Sequence, residues 1–242
     1  MPWRSTLRPT ALLTASLYPP TLVRSTDSGA TFAESAAGIG ERFGFFGLAY
    51  DPRHEQRVWA TVWESSGYWL YRSQNGGASW QRLRELAPFP DLAVDPEGRV
   101  YVTTGLGIEV SSDGGATWRF ALSSELYVRS LSTDRKRAGR VWGASNREVW
   151  MSEDAGMSWR LVPAPEPADS LQIYDLAVVD GTVFLRTPDA VWRSHDEGAS
   201  WTRLAEGLPY QTFGSLTIDA NRNTRLWLAA ERLGVFVGDF ND

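Results

Sequence analysis

The chain contains no cysteine. Disulfides and thiolate metal sites are therefore excluded, while the redox compartment stays open. Histidine is nearly as scarce, with His54 and His195 the two copies. A histidine-based catalytic triad or zinc centre has little to be built from, and no metal site is expected. Lysine occurs once, at Lys136, among 24 basic residues; a bias toward arginine of this kind reads as genome composition. A formal net charge of −5 and a pI near 5.2 lack the basic footprint of a nucleic-acid binder, so no nucleic-acid partner is expected. No apolar run approaches the roughly 18 residues of a membrane helix, so membrane insertion is not expected. Arg4 and Arg8 precede a short apolar stretch at 10–17, in the outline of a secretion signal. Thr14 and Ser16 interrupt it, and it aligns with a strand of the repeat described next. A soluble, cytoplasmic protein is favoured over a secreted one. Sustained 3.6-residue apolar periodicity is also missing, so helices should be nearly absent. The segment Gly38-Ile39-Gly40-Glu41-Arg42-Phe43-Gly44 resembles a dinucleotide loop but has the wrong spacing and no strand-to-helix setting, and no cofactor is expected.

What the chain does have is a repeat. The stretch Ser111-Ser112-Asp113-Gly114-Gly115-Ala116-Thr117-Trp118 follows the rule Ser-x-Asp-x-Gly-x-(Ser/Thr)-(Trp/Phe). The same rule fits residues 25–32, 73–80, 152–159 and 194–201, with Asn75 in place of Asp and Phe32 in place of Trp. The first serines stand at 25, 73, 111, 152 and 194, in steps of 48, 38, 41 and 42. A period near 40 signals a solenoid, an array or a propeller, and 242 residues hold roughly six such units. With 43% hydrophobic and 22% charged residues, the composition is that of a globular protein with a buried core.

Each unit also carries three further strand patterns. An apolar run opens it, as in Asp91-Leu92-Ala93-Val94-Asp95 or Ser130-Leu131-Ser132-Thr133-Asp134. A β-rich run follows, as in Val100-Tyr101-Val102-Thr103 or Val141-Trp142-Gly143-Ala144. A short strand then enters the box, and a fourth leaves it. Four short strands per unit, separated by Gly, Pro, Asp and Asn turns, indicate four-stranded blades around an axis. The expected fold is all-β: a single β-propeller of six four-stranded blades, at roughly 8–35, 44–84, 90–122, 128–162, 173–206 and 213–242. The last unit ends in a decayed box, Gly238-Asp239-Phe240-Asn241-Asp242, with no fourth strand. Residues 1–7 read like that missing strand and are expected to complete the last blade and close the ring, removing exposed sheet edges.

The box has a structural reading. Its glycine permits a backbone closed to other residues, and Asp27, Asn75, Asp113, Asp154 and Asp196 can bond nearby amides and fix a turn. The aromatic ring supplies burial. Each box offers at most one carboxylate at its motif position, far from the six to eight converging oxygens of a calcium site.

These boxes resemble the Asp-box, or bacterial neuraminidase repeat, of sialidases and related propellers. The strict motif covers about 40 of 242 residues, and the periodic context most of the chain. The resemblance implies the propeller fold. It does not imply one activity, because the same box occurs in sialidases, xyloglucan hydrolases, sortilin-type receptors and a photosystem II assembly factor. The sialidase resemblance would imply an Arg-Ile-Pro tripeptide, which is absent; Arg8-Pro9 does not replace it.

Candidate functional residues are those that break the repeat. Between the second strand and the box, the second unit has an insertion, Trp63-Glu64-Ser65-Ser66-Gly67-Tyr68-Trp69. Trp63, Tyr68 and Trp69 around Glu64 suit a sugar, with rings on its apolar face and the acid on its hydroxyls. A second group, Asp91, Arg129, Tyr174 and Asp175, lies at the starts of first strands, with Gly47, Ser130 and Ser215 in matching places. Arg186 breaks its own column and would need an acidic partner, Asp175 or Asp189. The favoured function is a non-catalytic scaffold binding a protein or a glycan over the channel face. The competing function is a glycosidase, sialidase-like or other, using Asp91, Asp175 or Glu64, since paired carboxylates are what glycoside hydrolysis requires.

Overall fold

The computed structural model describes residues 12–16, 20–165, 172–188, 190–206, 216–218, 225–230 and 234–239. These residues form β-strands, turns and bends without helix. The strands group into six antiparallel sheets, each a meander of chain-consecutive strands. The first has three: β1 (Leu12–Ser16), β2 (Thr21–Ser25) and β3 (Ala33–Glu34). The next four have four strands each: β4 (Arg42–Tyr50), β5 (Val58–Glu64), β6 (Gly67–Ser73) and β7 (Gln81–Leu86); β8 (Leu92–Val94), β9 (Val100–Thr103), β10 (Gly105–Ser111) and β11 (Arg119–Val128); β12 (Ser130–Thr133), β13 (Val141–Ala144), β14 (Val149–Ser152) and β15 (Arg160–Val162); β16 (Asp175–Val179), β17 (Thr182–Arg186), β18 (Ala190–Ser194) and β19 (Thr202–Glu206). The last has three described strands, β20 (Leu216–Ile218), β21 (Arg225–Ala230) and β22 (Gly234–Asp239). The segment 1–7 expected to complete it lies outside the described residues.

The inner strands β4, β8, β12, β16 and β20 pack against one another in chain order and form a continuous inner wall. Burial follows from this placement. The second strands β5, β9 and β13 are buried almost throughout, because they have a sheet neighbour on each side and a sheet against each face. That is why they read as unbroken β-branched and aromatic runs rather than alternating ones. The outermost strands β7 and β15 are largely exposed.

The core lies between consecutive sheets. Trp142, Val149 and Met151 of the fourth sheet pack with Leu176, Val183 and Leu185 of the fifth. Tyr101 and Ile108 of the third pack with Leu131 and Val141 of the fourth. One aromatic recurs at the same place in the second strands of the four-stranded sheets: Trp59, Tyr101, Trp142 and Phe184, each at most 2% exposed. Burying an aromatic or large aliphatic side chain contributes about 1.5–3 kcal/mol, so the repeated ring is a main source of cohesion between sheets.

Every box leads into the outermost strand of its sheet, from the third strand in the four-stranded sheets and from β2 in the first sheet. The serine hydroxyl accepts the backbone N–H of the box glycine at 2.7–2.8 Å in all five copies. The Asp or Asn Oδ1 accepts the backbone N–H of the Ser/Thr at 2.8–2.9 Å. Two successive residues of the turn are left-handed, for example Ala155 (φ 60°) and Gly156 (φ 80°). The glycine has a second reason to be there. A Cβ on Gly198 would lie 2.0 Å from Val162 Cγ1 of the preceding sheet, and one on Gly115 would lie 3.0 Å from the buried ring of Trp59. The ring of the box is less uniform than its motif suggests. Trp80 is buried and donates from Nε1 to Ser35 O of the preceding sheet at 2.8 Å. Trp118, Trp159 and Trp201 are half-buried, and Phe32 is 48% exposed.

Candidate functional site

The residues singled out in the sequence fall at one end of the sheets. There the hairpins between second and third strands meet the starts of the inner strands, as the pairs Gly47 with Thr61, Ser130 with Ala144 and Asp175 with Arg186 show. The 63–69 insertion is not a loop. It lengthens β5 and β6 into seven-residue strands, with Glu64 opposite Gly67 at the tip.

Trp63 and Tyr68 stack with centroids 5.9 Å apart and planes 7° from parallel. Phe43 packs against Trp63 at 5.2 Å, Phe46 against Tyr68 at 5.5 Å, and Phe89 touches both Phe46 (5.9 Å) and Tyr68 (5.7 Å). The five rings form one aromatic surface, with Phe43 39% and Phe89 62% exposed. Phe89 stands in Pro88-Phe89-Pro90 with φ 53°, a conformation that a bulky residue rarely adopts. Pro88 O accepts a hydrogen bond from the Tyr127 hydroxyl, which ties this turn to the third sheet. Phe43, Phe46, Phe89 and Tyr127 were not among the sequence candidates. The signal for Phe89 was an aromatic between two prolines directly before Asp91.

Trp69 lies apart from this surface, its ring under Arg82 at 4.2 Å and its Nε1 donating to Ser66 Oγ at 3.0 Å. Glu64 is buried, accepts the Tyr71 hydroxyl and pairs with Arg82 at 3.5 Å. Burial and the neighbouring Glu64 carboxylate push the Tyr71 hydroxyl up to about 12. Tyr71 is 2% and Glu64 5% exposed, so this tyrosine–glutamate pair is buried.

Asp91 and Asp175 join successive sheets. Asp91 Oδ1 accepts Leu92 N–H at 2.8 Å, and Oδ2 accepts Leu131 N–H of the next sheet at 2.7 Å. Asp175 Oδ1 accepts Leu176 N–H (2.8 Å) and the Ser130 hydroxyl (2.9 Å), and Oδ2 accepts Leu216 N–H of the next sheet at 2.6 Å. Asp95 does the same at the opposite end, accepting Gly139 N–H of the next sheet at 3.0 Å. Asp91 keeps partial solvent access, yet the surrounding protein desolvates it and the Asp175 charge lies close by. Its carboxyl is pushed up to about 7. Asp175 is raised for the same first reason, burial, with Arg186 acting in the opposite direction. Exposed Arg129 and buried Arg186 lie 5.9 and 5.3 Å from the Tyr174 ring. Asp189 lies outside the described residues. Among the described residues no three His, Asp or Glu side chains gather as a metal ion would require.

Comparison with known proteins supports the architecture. No family model matches the chain. A xyloglucanase from a Paenibacillus species is 24% identical over 246 residues, covering 75% of this chain and 24% of its own length. The crystal structure of an ancestral GH74 enzyme superposes with a TM-score of 0.73 at 18% identity, over 98% of this chain and 36% of that one. A chain of a nidogen/laminin complex gives 0.70 at 17% identity, over 95% and 89%. YCF48 bound to a D1 peptide gives 0.65 at 17% identity, over 93% and 72%. The chain thus spans about a quarter of the xyloglucanase and about a third of the GH74 enzyme. At these identities the likeness is one of fold, and that fold is a β-propeller.

Proposed function

We propose that the chain is a single six-bladed propeller built on Asp-boxes, with blades as bounded above and residues 1–7 closing the last. In this reading it acts as a non-catalytic binding scaffold for a protein or glycan ligand over the channel face. The observation that carries the reading is the exposed surface of Phe43, Phe46, Trp63, Tyr68 and Phe89 beside the inner wall. Rigid aromatic side chains at an exposed edge provide contact area at low entropic cost. The carboxylates at the same end are already committed to backbone N–H groups, which favours binding over chemistry. Two of the structural neighbours come from protein complexes, the nidogen/laminin pair and YCF48 with its peptide.

A second reading, glycoside hydrolysis, rests on one specific observation. Asp91 is protonated up to about neutral pH beside Asp175, and a carboxyl kept protonated near neutrality is what a general acid needs. The likeness to a xyloglucanase points the same way. Screening the purified chain against glycan and peptide arrays together with a glycosidase substrate panel separates the two. Binding without turnover is the expected result. Turnover that disappears in Asp91→Asn or Asp175→Asn would overturn the scaffold reading.

A further inference from the structure

We propose, building on the binding role assigned above to the aromatic surface, that its partner is cationic: a protein segment that presents an arginine or lysine side chain to the rings of Phe43, Trp63, Tyr68 and Phe89. The face of an aromatic ring carries partial negative charge and attracts a cation within about 6 Å of its centre. The same hairpin already holds one such contact. Arg82 sits 4.2 Å over the Trp69 ring and pairs with Glu64 at 3.5 Å. One guanidinium is thus shared between one ring and one carboxylate.

The charges of the second sheet leave this end negative. Its arginines are engaged within the protein. Arg42 pairs with Glu34, Arg82 with Glu64, and Arg84 with Glu109 at 2.5 Å. Arg53 and Arg57, in the turn at the other end of β4, pair with Glu97 and Asp51, and Arg72 donates to Gly114 O of the third box. The acids are not all matched. Glu85 and Glu41 are exposed, and among the described residues neither has an ion-pair partner. Glu85 stands at the hairpin tip: a Cβ on Gly67, the neighbour of Tyr68, would lie 3.3 Å from Glu85 Oε1. Glu41 precedes Phe43 by two residues. Exposed rings flanked by unmatched carboxylates complement a positive charge carried on an apolar stem, which is what arginine and lysine offer.

A glycan fits these groups less well. Sugar hydroxyls call for polar groups set among the rings, and Glu64, the acid of the inserted hairpin, is buried with Tyr71 and Arg82. An acidic segment would meet Glu85 and Glu41 at the rim, a like-charge contact that opposes binding. Arg129, an exposed base at this end, lies 5.9 Å from the Tyr174 ring beside the fifth sheet.

The test is binding of the full chain to three matched sets of short synthetic peptides, identical except that the variable positions hold arginine, glutamine or glutamate. The arginine set should bind most tightly, and raising the salt from about 0.05 to 0.5 M should weaken it. Glu85→Gln should weaken the arginine set about two- to fivefold, the range of an exposed ion pair. Glu85→Lys should weaken it further and shift preference toward the glutamate set. Glu85 is exposed, so unchanged denaturant midpoints are expected for both variants. Equal binding of all three sets, binding by none, or an arginine set indifferent to Glu85→Gln would overturn the proposal. Binding of a glycan or neutral peptide that Phe89→Gly weakens would overturn it too, while leaving the scaffold reading in place. Binding that neither Phe89→Gly nor Trp63→Ala weakens would remove the surface itself from the account.

Discussion

The Asp175 carboxylate accepts the backbone N–H of Leu216 at 2.6 Å, across 41 residues of chain and from one sheet to the next. The same carboxylate also accepts Leu176 N–H. Removing it leaves two backbone donors at the inner wall without this partner, and each unsatisfied donor costs about 1–3 kcal/mol. Asp175→Ala is therefore expected to destabilise the chain by about 2–4 kcal/mol in denaturant unfolding. Asp175→Asn, which retains one acceptor oxygen, should lose less.

The box turn stores strain that can be relieved. Ala155 holds φ 60°, where Gly76 and Gly114 stand in the second and third boxes. Its backbone N–H donates to Gly139 O at 2.9 Å and needs no side chain. A left-handed L-residue costs about 1–2 kcal/mol, part of which glycine returns through greater freedom in the unfolded chain. Ala155→Gly should stabilise by about 0.5–1 kcal/mol, read as a higher denaturant midpoint at unchanged slope.

The box carboxylates should make the chain acid-sensitive. Bonds from Thr117 and Ser111 hold Asp113 down to about 2, and Asp154 and Asp196 are likewise held at about 2 by their box hydroxyls and amides. Each folded value lies below the unfolded 3.8. The stability contributed is complete above about pH 4 and is lost as pH falls toward 2. Asp113→Asn should fold as wild type does at neutral pH and lose less stability on acidification. Asn75 already fills this position in the second box, accepting Ser79 N–H at 2.9 Å and donating to Ser79 Oγ at 2.8 Å. Asp113→Ala should be less stable throughout, as followed by thermal melts from about pH 7 to 3.

The sheets were legible because they repeat. Five copies of one motif located the turns, and the runs around Trp59, Tyr101, Trp142 and Phe184 located the buried second strands. The acids at the starts of inner strands were visible as a set, but their role was not. Whether Asp91 points into solvent or grips Leu131 depends on the stagger between two sheets, which no local pattern encodes. The motif puts an aromatic ring in every box, but how far that ring is buried depends on the sheet beside it: Trp80 is covered and Phe32 is not. The aromatic surface was half legible. Trp63 and Tyr68 stood out through the insertion, while Phe43, Phe46 and Phe89 come from segments distant in sequence that converge only through pairing and packing.

The central claim is that the aromatic surface binds and the acids hold the sheets together. It is tested most directly with a ligand taken from the arrays, measuring its affinity and its turnover in one assay on Phe89→Gly, Trp63→Ala and Asp91→Asn. Phe89→Gly removes a 62% exposed ring and relieves a φ of 53°, so the fold should be as stable as wild type or more so. The account predicts that Phe89→Gly and Trp63→Ala each weaken binding at least about tenfold, a loss of about 1.4 kcal/mol. Asp91→Asn should bind as wild type does, and no variant should turn the ligand over. Full affinity in Phe89→Gly, or turnover in wild type abolished by Asp91→Asn, would contradict it.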